Sequence, residues 1–423
     1  MKSFSIKLLF VFLFLLQVSA FAAREPNLEN LYQNKQYFEL RDSLAKVKNN
    51  KTPETLFYRG VIANKFNESA KSIEFLEKFL KEKNIEKKKI VQAFQLLADN
   101  FVKTYEYGKA ATAYQTLLEK FKSDLSAEEA KSFENVRGLW NALRNAQPQK
   151  VSVKQDTFIT GTRDKAKLLN IPVESGAHKM DFVFDTGANL STMTVSTAEK
   201  LGLKIIEADV SVGSSTDIDV KSKLAVAPEI KIGNVIIKNA VFLVMEDKSL
   251  YFPQIDYQIH AIIGFPIIKS LGRITLSRDD KILVSAKKTT KKSAPNMLIE
   301  GLFPLVSGVY KGKRMIFVFD SGATVSTLYA PFYQAEIEEI KRVSEPQKVK
   351  FGGAGGNREV SAHKLKDLHL EIGGKIAKFP EILVVTEIFN NQSNFFYGNL
   401  GQTLINQFEQ MTLDFDAMEL EFN

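Results

Sequence analysis

At 423 residues, 44% of them hydrophobic and 25% charged, the chain is long enough for two or three globular domains. It contains no cysteine, which excludes disulfides, thiol catalysis and cysteine-ligated metal. The formal charge of +8 gathers in lysine-rich runs at 81–89 and 287–292 that lack interleaved aromatics, so it marks solvated faces rather than a nucleic-acid groove. The first 22 residues are built like a secretory leader: Lys2 and Lys7, an unbroken apolar run over 8–16, then Ala20-Phe21-Ala22 as a cleavage site. That run falls short of the roughly 20 residues needed to span a bilayer. The expectation is a cleaved signal peptide over 1–22 and no stable membrane insertion afterwards, with an uncleaved anchor as the alternative. A cysteine-free exported chain suits a bacterial envelope, so a secreted or periplasmic location is expected.

From 25 to 149 the apolar residues recur at steps of three and four, which predicts helices over 28–48, 54–65, 70–81, 88–104, 107–121 and 127–146. Lys65-Phe-Asn-Glu-Ser-Ala-Lys-Ser-Ile-Glu-Phe75 aligns with Thr104-Tyr-Glu-Tyr-Gly-Lys-Ala-Ala-Thr-Ala-Tyr114, 39 residues on, and 34–40 reads as an earlier copy. This all-α region resembles tetratricopeptide repeats, whose unit of about 34 residues is exceeded at the lysine-rich turn near Ile85. A generic helical bundle packing its own apolar stripe accounts for the same pattern. A protein partner of this region is one expectation that follows.

After residue 150 the period changes to that of strands. Runs at 151–173, 177–184, 203–212, 224–232, 235–244 and 274–284 are separated by turn residues, and 302–309, 315–319, 347–351, 360–372, 375–385 and 410–422 repeat the order. Helical signal is sparse there, chiefly at 196–201. Phe182-Val-Phe-Asp-Thr-Gly-Ala-Asn-Leu-Ser-Thr192 and Phe317-Val-Phe-Asp-Ser-Gly-Ala-Thr-Val-Ser-Thr327 share eight of eleven positions. Each reads as a buried strand delivering an aspartate onto a tight turn. Pro228-Glu-Ile-Lys-Ile-Gly233 answers Leu368-His-Leu-Glu-Ile-Gly373, and Ala261-Ile-Ile-Gly264 answers Gly398-Asn-Leu-Gly401. The offsets of 135, 140 and 137 residues describe one unit of about 130 residues occurring twice.

From about 155 to 423 the chain resembles the aspartic proteases, specifically retropepsin-like lobes of bacterial secreted proteins. The resemblance rests on the paired Asp-Thr/Ser-Gly-Ala turns, the glycine-bearing hairpins and the apolar-apolar-Gly segments. It implies a multidomain chain, with the all-α region followed by an all-β, two-lobed pepsin-like fold: lobe 1 over 151–287, a linker over 288–297 and lobe 2 over 298–423. Asp185 and Asp320 would be catalytic. Thr186, Gly187, Ala188, Ser321, Gly322 and Ala323 would support their turns, the Thr186 and Ser321 hydroxyls bracing one turn against the other. Gly352, Gly353, Ala354, Gly355 and Gly356 look like a flap tip, with Gly213 in the poorer counterpart. Asn399 departs from the pattern, standing where an apolar residue is usual and where the first half has Ile262. Neither a pepsin-type propeptide nor the flap tyrosine of pepsins is present.

Paired carboxylates give this pattern its chemistry. Two of them a few ångströms apart cannot both ionise cheaply, so the pair keeps one proton and can act as base and acid toward a water between them. The expected activity is therefore an aspartic-type endopeptidase acting on an extended peptide or protein, as a monomer with an internal pseudo-twofold axis. No cofactor or metal is called for: His178, His260, His363 and His369 are scattered without ligand spacing. Two alternatives remain open. The same lobes could form an inert module that binds peptides by strand addition, or the helical repeats could carry the function as a scaffold.

Overall fold

The computed structural model describes residues 27–48, 51–213, 219–253, 255–289, 294–353 and 356–423. Its first part is helical. Helices α1 (Leu28–Gln33), α2 (Tyr37–Leu44), α3 (Pro53–Lys65), α4 (Ser69–Phe79), α5 (Lys87–Lys103), α6 (Tyr107–Phe121) and α7 (Ala127–Ala142) follow one another with short turns. Their starts carry local signals: Thr52 caps α3 ahead of Pro53 at the first position, and Ser126 forms a reciprocal capping box with Glu129.

The single helix expected over 28–48 is two helices. The chain turns at Lys35, which takes a left-handed φ of 53°, and its ammonium reaches across to Glu300 at 2.8 Å. Hydrophobic spacing runs through this turn uninterrupted, because both helices bury the same stripe. Left-handed residues recur at Asn67 and Tyr105, between α3 and α4 and between α5 and α6. In each case the next amide, of Gln36, Glu68 or Glu106, bonds to a carbonyl five residues back. The equivalence of Asn67 with Tyr105 sets the spacing at 38, one residue less than the sequence alignment, which had paired Asn67 with Glu106.

The remaining chain is mostly β. Nine strands from the first half join in one sheet, and eight from the second half in another. In the first, Asp219–Ile232 pairs with Val235–Met245 and also reaches Leu169–Ser175, so the sheet closes on itself as a barrel. In the second, Gly356–Ile372 pairs with Lys375–Val385 and with Phe303–Tyr310. A third sheet is built by both halves. Arg273–Ser277 pairs with Gln410–Asp414, flanked by Lys281–Ser285 and Thr157–Thr160 on one side and Glu419–Phe422 on the other. The expected boundary over 288–297 therefore separates segments that share backbone hydrogen bonds farther along. Strand edges left open by each half are satisfied by the other.

Short helices that periodicity could not reveal occupy Phe265–Ser270, Ala330–Ala335, Ile337–Val343 and Gln402–Ile405; Val195–Lys200 was anticipated. At four to seven residues they are too short to complete an amphipathic stripe. The helical region docks on both halves. Lys35 and Lys65 meet Glu300 at 2.8 and 2.6 Å, Tyr105 Oη donates to the Pro266 carbonyl at 3.0 Å, and Asn67 Nδ2 donates to the Phe415 carbonyl at 2.9 Å. One contiguous set of buried apolar side chains runs from the helices into the sheets. Among the described residues no helix is long and apolar enough to cross a membrane.

Candidate active site

Strands His178–Phe184 and Lys313–Phe319 end in Phe-Val-Phe, and all six of these side chains are buried. Each strand runs parallel to a three-residue strand, Ala261–Ile263 or Gly398–Leu400. The backbone amide of Asp185 donates to the Ile263 carbonyl, and that of Asp320 to the Leu400 carbonyl, both at 3.0 Å. Each aspartate thus leaves its strand at a fixed height, and the two turns face each other.

Four hydrogen bonds lock the turns together. Thr186 N–H donates to Ser321 Oγ at 3.0 Å, and Ser321 N–H donates to Thr186 Oγ1 at 2.9 Å. The hydroxyls then donate onward, Thr186 to the Phe319 carbonyl at 3.1 Å and Ser321 to the Phe184 carbonyl at 3.0 Å. Both side chains are fully buried, so every partner would be stranded without the other turn.

Gly187 and Gly322 are required by proximity. A Cβ on Gly187 would lie 2.5 Å from the Asp320 carboxyl carbon, and one on Gly322 2.3 Å from that of Asp185. Each glycine therefore makes room for the aspartate of the opposite turn. Their amides face their own carboxylates, Gly187 onto Asp185 Oδ1 at 2.8 Å and Gly322 onto Asp320 Oδ1 at 2.9 Å. Ala323 N–H adds a third bond, to Asp320 Oδ1 at 3.1 Å. The Ala188 and Ala323 carbonyls accept from Phe265 and Gln402, both at 2.8 Å, which ties each turn to the short helix behind it.

The two carboxyls lie within hydrogen-bonding reach of each other, and both aspartates are half-buried. Burial, followed by the neighbouring charge of Asp320, pushes the Asp185 carboxyl well above the usual carboxylate range. Such a pair can hold one proton near neutral pH and present one acid and one base to a molecule placed against it.

The structure thus brings Asp185, Thr186, Gly187, Ala188, Asp320, Ser321, Gly322 and Ala323 into one place. The glycine-bearing hairpins belong to the same two sheets as the aspartate turns. Gly213 ends the strand Ile205–Gly213 opposite Asp219, while Gly352, Gly353 and Gly356 lie at the tip of the hairpin Gln347–Gly353 and Gly356–Ile372. Ala354 and Gly355 lie outside the described residues. No hydrogen bond joins either hairpin to the aspartate turns among the described residues.

Sequence reasoning missed several supports. Ser191 Oγ accepts from Gly264 N–H at 2.9 Å and Ser326 Oγ from Gly401 N–H at 3.0 Å, a matched pair. Gln402 Nε2 donates to the Ser321 carbonyl at 2.6 Å. Both serines belong to the repeated eleven-residue motif, so the signal was there. Asn399, read as a departure, has its Nδ2 2.9 Å from Asp320 Oδ2.

Residues 171–267 match a family model described as aspartyl protease. The matched stretch contains the first aspartate turn and the segment Ile262-Ile263-Gly264 behind it. It supports a protease, a hydrolase of peptide bonds, with a helical N-terminal part over 28–142 ahead of a β-rich region. No curated protein matches the chain.

Proposed function

We propose that this chain is an aspartic endopeptidase of the retropepsin-like kind, with one catalytic aspartate in each of two fused lobes, 151–287 and 298–423. The single observation carrying this reading is the meeting of two carboxyls, Asp185 and Asp320, on turns cross-linked by each other's hydroxyl side chains. A binding module gains nothing from forcing two like charges together, whereas hydrolysis needs a base and an acid at one point. The reaction proceeds by attack of a water held between the carboxyls on the scissile carbonyl.

Two further features support the two-lobed reading. The strand pairing around each aspartate is the same: Ile262 opposite Val183 and Asn399 opposite Val318, with each short strand also pairing the strand after its turn. Both halves also supply an open hairpin that an extended peptide could join by strand addition. The substrate is accordingly an extended peptide or protein segment, and one chain suffices for the site.

The helical region is proposed as a tetratricopeptide-like unit that holds a protein partner or braces the lobes, its three equivalent left-handed turns favouring repeats over an irregular bundle. Residues 1–22 are proposed as a signal peptide, giving a secreted or periplasmic enzyme. The test is digestion of a mixed peptide library by the purified protein from acid to neutral pH, beside Asp185→Asn and Asp320→Asn. Cleavage by wild type and by neither variant is the expected result. Absence of cleavage at every pH, with extended peptides still bound, would replace the reading with a binding module.

A further inference from the structure

The two aspartate turns are near copies, and one side chain breaks the copy. Where the first half has Ile262 opposite Val183, the second has Asn399 opposite Val318, in the same register. Backbone amides serve both carboxylates, Gly187 on Asp185, and Gly322 and Ala323 on Asp320. Asn399 supplies what isoleucine has no atoms to give, an Nδ2 donor 2.9 Å from Asp320 Oδ2. Both oxygens of Asp320 therefore face donors. A charged carboxylate is the stronger acceptor for all three, and protonation would weaken each of these bonds, so the donors favour the ionised form of Asp320.

The other end of the amide sharpens the point. Asn399 Oδ1 is buried without a hydrogen-bond partner among the described residues. An isoleucine at the same place would avoid that penalty, so packing does not account for the asparagine. Its interaction with Asp320 does.

We propose that Asn399 is a positioning residue that keeps Asp320 as the charged member of the pair and leaves the shared proton on Asp185. This rests on the peptide-hydrolysis reading and goes beyond it by giving the two aspartates unequal roles. Water passes one proton to Asp320 as its oxygen bonds to the carbonyl carbon. The π pair moves onto the carbonyl oxygen, which takes the proton of Asp185. As the diol collapses, a hydroxyl proton returns to Asp185, the Asp320 proton goes to the leaving nitrogen, and the C–N bond breaks.

Burial and the charge of Asp320 act on Asp185 in the same sense, holding its proton. Tyr329 also feels Asp320, and burial and that charge keep its phenol protonated.

The test is Asn399→Ile, which copies the first half, with Asn399→Ala as the smaller change if the first does not fold. Carboxyl carbons of aspartate-labelled protein are titrated by NMR, and the pair is assigned through Asp185→Asn and Asp320→Asn. The pH dependence of kcat/KM for peptide cleavage is measured alongside. The expected result in wild type is that the proton shared by the pair stays on Asp185. In the variant the first ionisation and the acid limb of the rate profile move up by about one pH unit, the scale of one hydrogen bond to a charged acceptor. A merely structural asparagine would lower the melting temperature and leave the limb in place, which would overturn the proposal. So would a wild type protonated on Asp320. Absence of cleavage by wild type would remove the hydrolytic reading while the NMR titration still decides the assignment.

Discussion

Thr186→Val tests the lock between the aspartate turns. Valine keeps the shape of threonine, so packing around this fully buried position is preserved. What disappears is Oγ1, which accepts from Ser321 N–H at 2.9 Å and donates to the Phe319 carbonyl at 3.1 Å. Two backbone groups would lose partners where no water reaches them. At roughly 1–3 kcal/mol for each stranded group, the loss is about 2–6 kcal/mol. Against a total stability of about 5–15 kcal/mol this is a large fraction, and it corresponds to a fall in melting temperature on the order of 10 °C. The assay is thermal and urea unfolding of wild type, Thr186→Val, Ser321→Ala and the double variant. Ser321 mirrors Thr186, so the two changes loosen one joint and should couple by about 0.5 kcal/mol or more instead of adding. A Thr186→Val protein that melts within a degree of wild type would falsify the claim that these hydroxyls hold the turns together. Strict additivity in the double variant would show that the turns are anchored separately.

Asp185→Asn and Asp320→Asn should each lower peptide cleavage by orders of magnitude, with the double variant little worse, because the residues act as a unit; single-turnover assays read this directly. The Asp185 carboxyl is raised in the folded protein, so the fold binds its proton more tightly and wild type loses stability as pH climbs above the unfolded value of about 3.9. Melting of Asp185→Asn relative to wild type should therefore improve with rising pH through that window, and a pH-independent difference would contradict it. Glu300 is half-buried between Lys65 and Lys35; burial alone would raise its carboxyl, but their charges outweigh that and hold it below the usual range. Glu300→Gln strands a buried ammonium, so a loss of about 3 kcal/mol or more is expected in urea unfolding. The helical region should also become easier to clip by protease; an unchanged digestion pattern would mean the pair does not tether it. Activity per mole should be constant across protein concentration, since both aspartates sit on one chain. A rise with concentration alongside a sedimenting dimer would point to lobes pairing between molecules.

Much of this protein could be read from local pattern. Apolar residues at steps of three and four marked the helices up to residue 142, and alternating runs marked the strands after 150, because those periods follow from backbone geometry alone. The two Phe-Val-Phe-Asp segments announced their own pairing, since eight of eleven positions are alike. Local pattern failed where a partner distant in the chain made the choice. Lys35 turns left-handed in the middle of an apolar stripe and reaches Glu300, 265 residues away. The segments Arg273–Ser277 and Gln410–Asp414 look like strands of separate halves, yet they pair with each other, because an edge strand accepts any backbone of suitable register. Asn399 is the clearest case. In sequence it is a polar residue where its counterpart is isoleucine, and only the parallel pairing with Val318 brings its amide to Asp320. The chain's periods and repeats determined which segments would be helix, strand and turn. Which carboxylate receives an extra donor, and which edges meet, was decided by the tertiary structure, since those interactions join atoms that no local spacing relates.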